Sequence, residues 1–495
     1  MPAPSPRKAS AHAGVFIAAS ALLIALALLA TGCGSPSEPP APESSARQPV
    51  TFEPTAPKNL LMIVLDTTTA RRWSLYGHPR ETTPFITQRA KNAVVFERAY
   101  SQATATVPST WSFMMGQYIY RVEEKPRILG MRKGIDIPLA LHFRRAKFAT
   151  GGFSDNSWIR KAYGFGKGFD SFETTPTTMH GAKGMFARDE TGSERVLANA
   201  QEFLSSVGDQ KFFCYVHFLR PHNWYVSPEP YLSRFFDPDA PDGASLADLA
   251  RQEEQRISSA YLRGEMPSQE DVQSLGDLYD GNVAYSDHLV EELYKTLDAI
   301  GARDETMVII MSDHGEAFME HGKLLHSSEP YDELIHVPLV IDAPESAGFV
   351  PGRVSDLVEL VDIEPTLQEL FGLRVRHRLD GLSLLPHLRA TATETPARTI
   401  IAESINTSTI SVRQGPLKQL TRMDEHYQEV LGYELYNMDL DPGEQNNLFT
   451  SVEEIAPLVK MVTDYNASRE SGESFSTEEL TEEEQEQLKA MGYLE

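Results

Sequence analysis

Apolar residues in this chain fall into short unbroken runs, separated by stretches with helical spacing. Residues 59–65, 212–217, 306–311 and 337–341 are nearly continuous in aliphatic and aromatic side chains. That is the pattern of strands buried on both faces of a largely parallel sheet. Val283, Leu289, Val290, Leu293 and Leu297 recur near helical spacing and predict a helix over about 280–300. A second helix is predicted over about 359–371, starting near Asp362 and stopped by Gly372. A third starts near Thr106, with Pro108 fitting the first helical position ahead of Trp111, Phe113, Met114 and Met115. Residues 226–275 are polar and acidic, with scattered Pro and Gly. They read either as an insertion over a site that sets substrate choice or as a passive surface loop. From about residue 398 short strands (399–402, 409–412) alternate with turns such as Asp441-Pro442-Gly443, the pattern of a small antiparallel subdomain. Thr481 and Glu484 form a capping box for a terminal helix. No internal repeat stands out. The sum is an α/β fold with a central sheet flanked by helices.

Two of the strand runs lead into chemistry. The 59–65 run ends at Asp66, where α/β sheets place ligands, although an N-cap aspartate has the same look. The 306–311 run enters Ser312-Asp313-His314-Gly315-Glu316 and offers one oxygen and one imidazole ligand. Thr106, in Thr-Val-Pro-Ser, reads as a nucleophile at a helix start, or as a plain helix cap. Free N–H groups there would hold an anion beside the hydroxyl. Together, Asp66, Thr106, Asp313 and His314 make a mixed oxygen and nitrogen shell for one divalent ion. The ion would lower the pKa of the Thr106 hydroxyl and polarise an oxyanion ester. His314 leans the choice toward zinc or manganese, with magnesium and calcium open. His217 follows a strand-like run and His222 sits in a Pro-His-Asn-Trp loop; both have structural readings as well. His326 reaches the same pocket or merely stabilises its loop, and His377 has no company in the sequence. A second cation would need more carboxylates near these histidines, so a single ion is expected.

These pieces, in order, resemble the sulfatase family of the alkaline phosphatase superfamily. The motifs are LLMIVLDTTTARRWSLYGHPRETTPFI, SQATATVPSTWSFMMGQY, YVHFLRPHNWY, SDHGE with a following EHG, YDELIHVPLVI, LVDIEPTLQELFGL, ELYNMDLDPGEQNNL and QLKAMGYL. They span about residues 59 to 495. The resemblance implies an alkaline-phosphatase-like core. It makes Asp66, Asp313 and His314 metal ligands and Thr106 nucleophile and ligand. His217, His222 and His321 would contact substrate oxyanions or protonate the leaving group. Lys418 matches a basic position in SVRQGPLKQL. The chain departs from the family at several places. Thr106 stands where sulfatases carry Cys or Ser that becomes formylglycine, and its Cβ methyl prevents oxidation to an aldehyde. No formylglycine is therefore expected. Thr110 replaces the Arg that closes the signature. Thr69 and Arg71 fill the Arg and Asp slots after the first metal aspartate. Arg220 replaces an acid, and His336 replaces an Arg. A Thr nucleophile is similar to that of related phosphotransferases.

The N-terminus adds location. Arg7 and Lys8 precede an uncharged apolar run at 14–30 and then Thr31-Gly32-Cys33. This is a secretory leader over 1–33, with Cys33 a lipidation candidate that would anchor the chain to a membrane. An uncleaved apolar anchor is the other reading. Residues 34–57, rich in Pro, Ser and Ala, form a tether. A catalytic domain over 58–390 and a C-terminal subdomain over 391–495 follow. Cys33 and Cys214 are the two cysteines, so no disulfide framework is expected. Seventy acids against 45 bases give a net charge of −25, which argues against nucleic acid as a partner. The expectation is an exported, cell-envelope, metal-dependent hydrolase or transferase of sulfate or phosphate esters. Its substrate would be a sulfated or phosphorylated small molecule, glycan or lipid. The alternative is a non-catalytic protein that binds an anionic glycan or lipid head group.

Overall fold

A computed structural model describes residues 53–119, 137–175, 192–238, 244–392, 398–453 and 455–468. The leader, Cys33, most of the tether and the Thr481 capping box lie outside these. No helix among the described residues is long and apolar enough to cross a membrane.

The strands in chain order are β1 (Asn59–Leu65), β2 (Val94–Tyr100), β3 (Ala149–Ser154), β4 (Ser171–Thr174), β5 (Phe212–Phe218) and β6 (Thr306–Met311). They continue with β7 (Ala317–Phe318), β8 (Leu324–Leu325), β9 (His336–Asp342), β10 (Gly352–Glu359), β11 (Thr399–Ser404), β12 (Thr409–Gln414), β13 (Leu417–Met423) and β14 (Val430–Asn437). Eight of them form the large sheet, in the order β10-β2-β9-β6-β1-β5-β3-β4. Only β9 runs antiparallel to its neighbours. β1 sits in the middle and explains its unbroken apolar run. Leu60, Met62 and Val64 face one core cluster, whereas Leu61, Ile63 and Leu65 face the other. The fold is thus α/β, as the periodicity predicts.

Several strands escape the periodicity. β2 carries Glu97 and Arg98 among its apolar residues and so lacks a continuous run. β3 contains Gly151 and Gly152, where a Cβ would meet Phe203 at 2.8 Å and Phe172 at 2.6 Å. Small residues there make room for aromatic neighbours at the expense of a hydrophobic signal.

The helices follow their caps. The predicted 280–300 helix is longer, Gln269–Ala299, and starts at a capping box between Ser268 and Asp271. The helix Ile363–Phe371 ends at left-handed Gly372 (φ 62°), preceded by a 3-10 turn at Leu360–Asp362. The 226–275 stretch is no plain loop: it carries helices Tyr231–Phe235 and Leu246–Leu262, the latter burying Ala250, Glu254 and Ile257.

β11 to β14 form the expected antiparallel sheet, covered by helix Ala456–Ala467 through Ile410, Val412, Leu458 and Val462. This sheet belongs to the same compact unit as the core, which runs from Arg47 onward. The join is polar and buried. Glu403 N donates to Gln102 O at 2.9 Å. Lys418, the basic candidate on β13, donates to Asp332 of the short helix Asp332–Ile335 at 2.8 Å and lies 2.7 Å from Glu444. Burial alone would raise the pKa of Asp332, but Lys418, His336 and Arg413 hold it down to about 2. Its contribution to stability is therefore complete above the ordinary aspartate pKa and is lost as pH falls toward 2. Lys418→Met leaves two carboxylates buried without their ammonium. It is expected to lower unfolding free energy by about 3–5 kcal/mol, measured by urea denaturation at neutral pH.

Candidate active site

Register sets the geometry of the strand ends. Val64 pairs with Met311 on one side and His217 on the other, and Ser154 pairs with His217. Neighbouring strands lie about 4.8 Å apart. Asp66 and Asp313, each two residues beyond a paired position, therefore leave the sheet side by side. β5 contributes His217 and the turn after β3 contributes Asn156.

Each carboxylate is half satisfied. Asp66 Oδ2 accepts from Asn156 Nδ2 at 2.5 Å and His217 Nε2 at 3.1 Å. Asp313 Oδ1 accepts from Thr67 N at 3.2 Å and His314 N at 2.9 Å. Asp66 Oδ1 and Asp313 Oδ2 are buried and make no hydrogen bond. Both remaining oxygens lie 3.8 Å from His314 Nε2. Nδ1 of His314 donates to Gly315 O at 2.9 Å, so the lone pair of Nε2 faces the oxygens, as in a metal-ligating imidazole. Gly315 is required here: a Cβ would lie 2.0 Å from Glu333 O.

Thr106 closes the group, with its Oγ1 3.2 Å from His314 Nε2. Its helix, Thr106–Met115, begins two residues earlier than Pro108 suggests. The physical reason is that the first four helical N–H groups have no partner within the helix, so proline is tolerated one turn in. Ser109 Oγ donates to Asp313 O at 2.6 Å and fixes the helix to the β6 end.

Burial dominates the electrostatics. It pushes Asp66 up to about 7, with Glu316 and Asp155 adding to the rise. It pushes Asp313 to about 7 as well, with Asp66 the next contributor. Burial, then the neighbouring His326, holds His314 well below its ordinary value, so the ring is neutral. Two separated carboxylate oxygens and a neutral imidazole nitrogen, all within 4.8 Å of one another, suit a divalent cation. Ligands about 2.0–2.5 Å from an ion stand at about this mutual distance.

The predicted histidines divide into two groups. His217, completely buried, accepts from Tyr215 Oη at 2.7 Å and donates to Asp66. It holds the Asp66 carboxylate in place. His326 stands beside the site: its ring is 4.7 Å from His314 and 4.9 Å from His222. Its Nδ1 pairs with Glu316 Oε1 at 2.9 Å. Burial opposes its charge, but Glu316 with Asp66 and Asp313 together outweigh burial and raise its pKa. His222 is half-buried next to it, holding Asn223 O at 2.7 Å. His321 goes elsewhere. The Glu320-His321-Gly322 run is the turn of the β7–β8 hairpin, and it faces the C-terminal sheet. There His321 pairs with Glu333 at 2.6 Å, meets Glu444 O at 3.0 Å and stacks on Tyr331.

Two departures from the family pattern prove to be scaffolding. Arg220 is buried on Val226 O and Asn282, over the Tyr285 ring. His336 meets Glu97 O at 2.8 Å and stacks on Tyr100. Sequence reasoning missed Asn156 and Glu316. Glu316 stands in the quoted SDHGE run, whereas Asn156 follows a glycine-bearing strand with no motif.

Residues 58–373 match the family model described as Sulfatase. A Delta 4,5-hexuronate-2-O-sulfatase of Bacteroides thetaiotaomicron is 26% identical over 428 residues, 79% of this chain and 84% of that protein. Human iduronate 2-sulfatase is 25% identical, covering 67% of this chain and 74% of its own. Among solved structures, a phosphonate monoester hydrolase of Agrobacterium radiobacter shares the fold with a TM-score of 0.64 and 21% identity. The match covers 84% of this chain and 96% of that one.

Protons and cations compete at this site. Without an ion, the native state holds protons on Asp66 and Asp313 that the unfolded chain releases above the ordinary aspartate pKa. Stability of the ion-free protein therefore falls as pH rises from about 4 to 7. Added divalent metal is expected to raise the melting temperature more at pH 8 than at pH 5.5, and less in Asp313→Asn. Calorimetry at the two pH values reads both effects.

Proposed function

The chain belongs to the sulfatase family, and on that premise we propose that it is a metal-dependent hydrolase of sulfate or phosphate esters acting through the unmodified hydroxyl of Thr106. One observation carries the reading: Thr106 Oγ1 lies 3.2 Å from His314 Nε2, the nitrogen that faces the two unsatisfied carboxylate oxygens. Relatives named for hexuronate and iduronate sulfatases support a sulfated sugar as substrate. The threonine supports phosphate esters too, since formylglycine cannot form at this position.

A divalent ion held by Asp66, Asp313, His314 and Thr106 would draw charge from the ester oxygens and ease deprotonation of the hydroxyl. Thr106 gives its hydroxyl proton to solvent, Oγ1 attacks sulfur or phosphorus, the bond to the ester oxygen breaks, and the alcohol leaves. Free N–H groups at the helix start face the oxyanion. His326, charged and held by Glu316, gives its proton to the leaving oxygen. His222 lies beside that path. Water then displaces sulfate or phosphate from Thr106. The apolar run at 14–30 and Cys33 support an exported enzyme, tethered to a membrane in the cell envelope.

The test is a panel of aryl sulfate, phosphomonoester, phosphodiester and phosphonate substrates, each assayed with Zn, Mn, Mg and Ca. Thr106→Ala is expected to lower kcat by roughly 10³-fold or more. The peptide bearing Thr106 is expected to keep its encoded mass. Full turnover in Thr106→Ala would remove this hydroxyl from the chemistry. A protein that loads metal, binds sulfated glycan and turns over no ester would establish the binding role instead.

His326→Gln tests the proton donor separately. Its loss is expected to slow esters of poor leaving groups, such as alkyl alcohols, about 10²-fold or more and to spare activated aryl esters. The ratio of the two rates, measured in wild type and variant, checks it.

A further inference from the structure

At the opposite end of the Thr106 helix, three more ligand-type side chains meet. His142 comes from helix Leu139–Arg145, Glu364 from the first turn of Ile363–Phe371, and His377 from the segment after Gly372. One donor atom from each lies within 4.8 Å of the others. His142 Nε2 is 3.5 Å from Glu364 Oε1, and His377 Nε2 is 3.5 Å from Glu364 Oε2. The side chains of His142 and Glu364 are 1% and 0% exposed.

Hydrogen bonding does not account for this cluster. Both oxygens of Glu364 are buried and, at 3.5 Å from each imidazole, make only long contacts; the backbone at Ile137 and Arg374 lies beside the His142 ring. A buried carboxylate held only by long contacts is costly to keep charged. An ion coordinated among them removes that cost. The helix end beside the cluster favours positive charge, against the nearby Arg145. Met115 O, a terminal carbonyl of the Thr106 helix, lies 2.9 Å from His377 Nε2, and the end of a helix dipole attracts cations. Gly116 lets the helix end approach: a Cβ would lie 2.9 Å from Glu364 Oε2 and 2.7 Å from Leu379 Cδ2.

We propose that His142, Glu364 and His377 form a second metal site, suited to zinc and separate from the one at Thr106. Two imidazoles and one carboxylate are a zinc donor set, whereas calcium and magnesium prefer oxygen throughout. The ten-residue helix is about 15 Å long, so the ion sits far from the ester and acts on position. It joins three segments around the end of the helix whose start carries Thr106.

The test is zinc content of the full-length protein after loading and desalting, by elemental analysis. Two equivalents are expected in wild type and one in Asp66→Asn, where only the second site remains. His142→Ala with Asp66→Asn is expected to bind none. Glu364→Gln, which keeps side-chain volume, serves if His142→Ala fails to fold. Cobalt loaded into Asp66→Asn is expected to give visible absorption bands that disappear with Glu364→Gln. Zinc-free Asp66→Asn, or zinc content unchanged by His142→Ala and Glu364→Gln, would overturn the proposal. Either result is independent of ester turnover, so the second site stands or falls apart from the catalytic reading.

Discussion

Two buried carboxylates side by side in a dry site repel each other unless a proton or a cation stands between them. Asp66 and Asp313 are forced into that position by the parallel pairing of β1 with β6. Their backbones are fixed by the central sheet and their side chains are enclosed, so neither can turn away to water. Everything else near them follows from this. His314 is kept neutral and turned lone pair inward, Asn156 and His217 each satisfy the outer oxygen of Asp66, and Thr106 is brought close by a helix bonded to Asp313 O.

The central sheet was readable from the sequence because strands buried on both faces leave no polar positions to blur their signal. β1, β5, β6 and β9 all have this form. The strands that were missed have local reasons. β2 faces partly outward and carries charge, and β3 uses glycine to admit Phe203 and Phe172. The cluster of Asp66, Asp313 and His314 was legible only from the pieces taken together, since each acid alone at the end of an apolar run looks like a helix cap. Asn156 was not, since an asparagine in a turn is ordinary until its neighbour is known.

The histidines show where sequence neighbourhood misleads. His321 lies seven residues after His314, yet a tight hairpin turns it toward a different part of the molecule. His326 is farther along the chain and returns beside His314. His377 had no company in sequence because its partners, His142 and Glu364, come from two other segments. Lys418 is matched by family position alone, and its partners Asp332 and Glu444 come from segments distant in sequence.

The buried link between β13 and the helix Asp332–Ile335 bears on where the polypeptide can be divided. A composition change near residue 390 looks like a seam, and a protein chemist would be tempted to cut there. Removing the distal portion would strip Asp332 of its counter-ion and uncover Tyr100 and Ala317, which pack against Ile400 and Ala402. The large sheet and the segments packed on it are therefore not an autonomous module, and limited proteolysis at that seam should yield fragments that stay associated rather than separate.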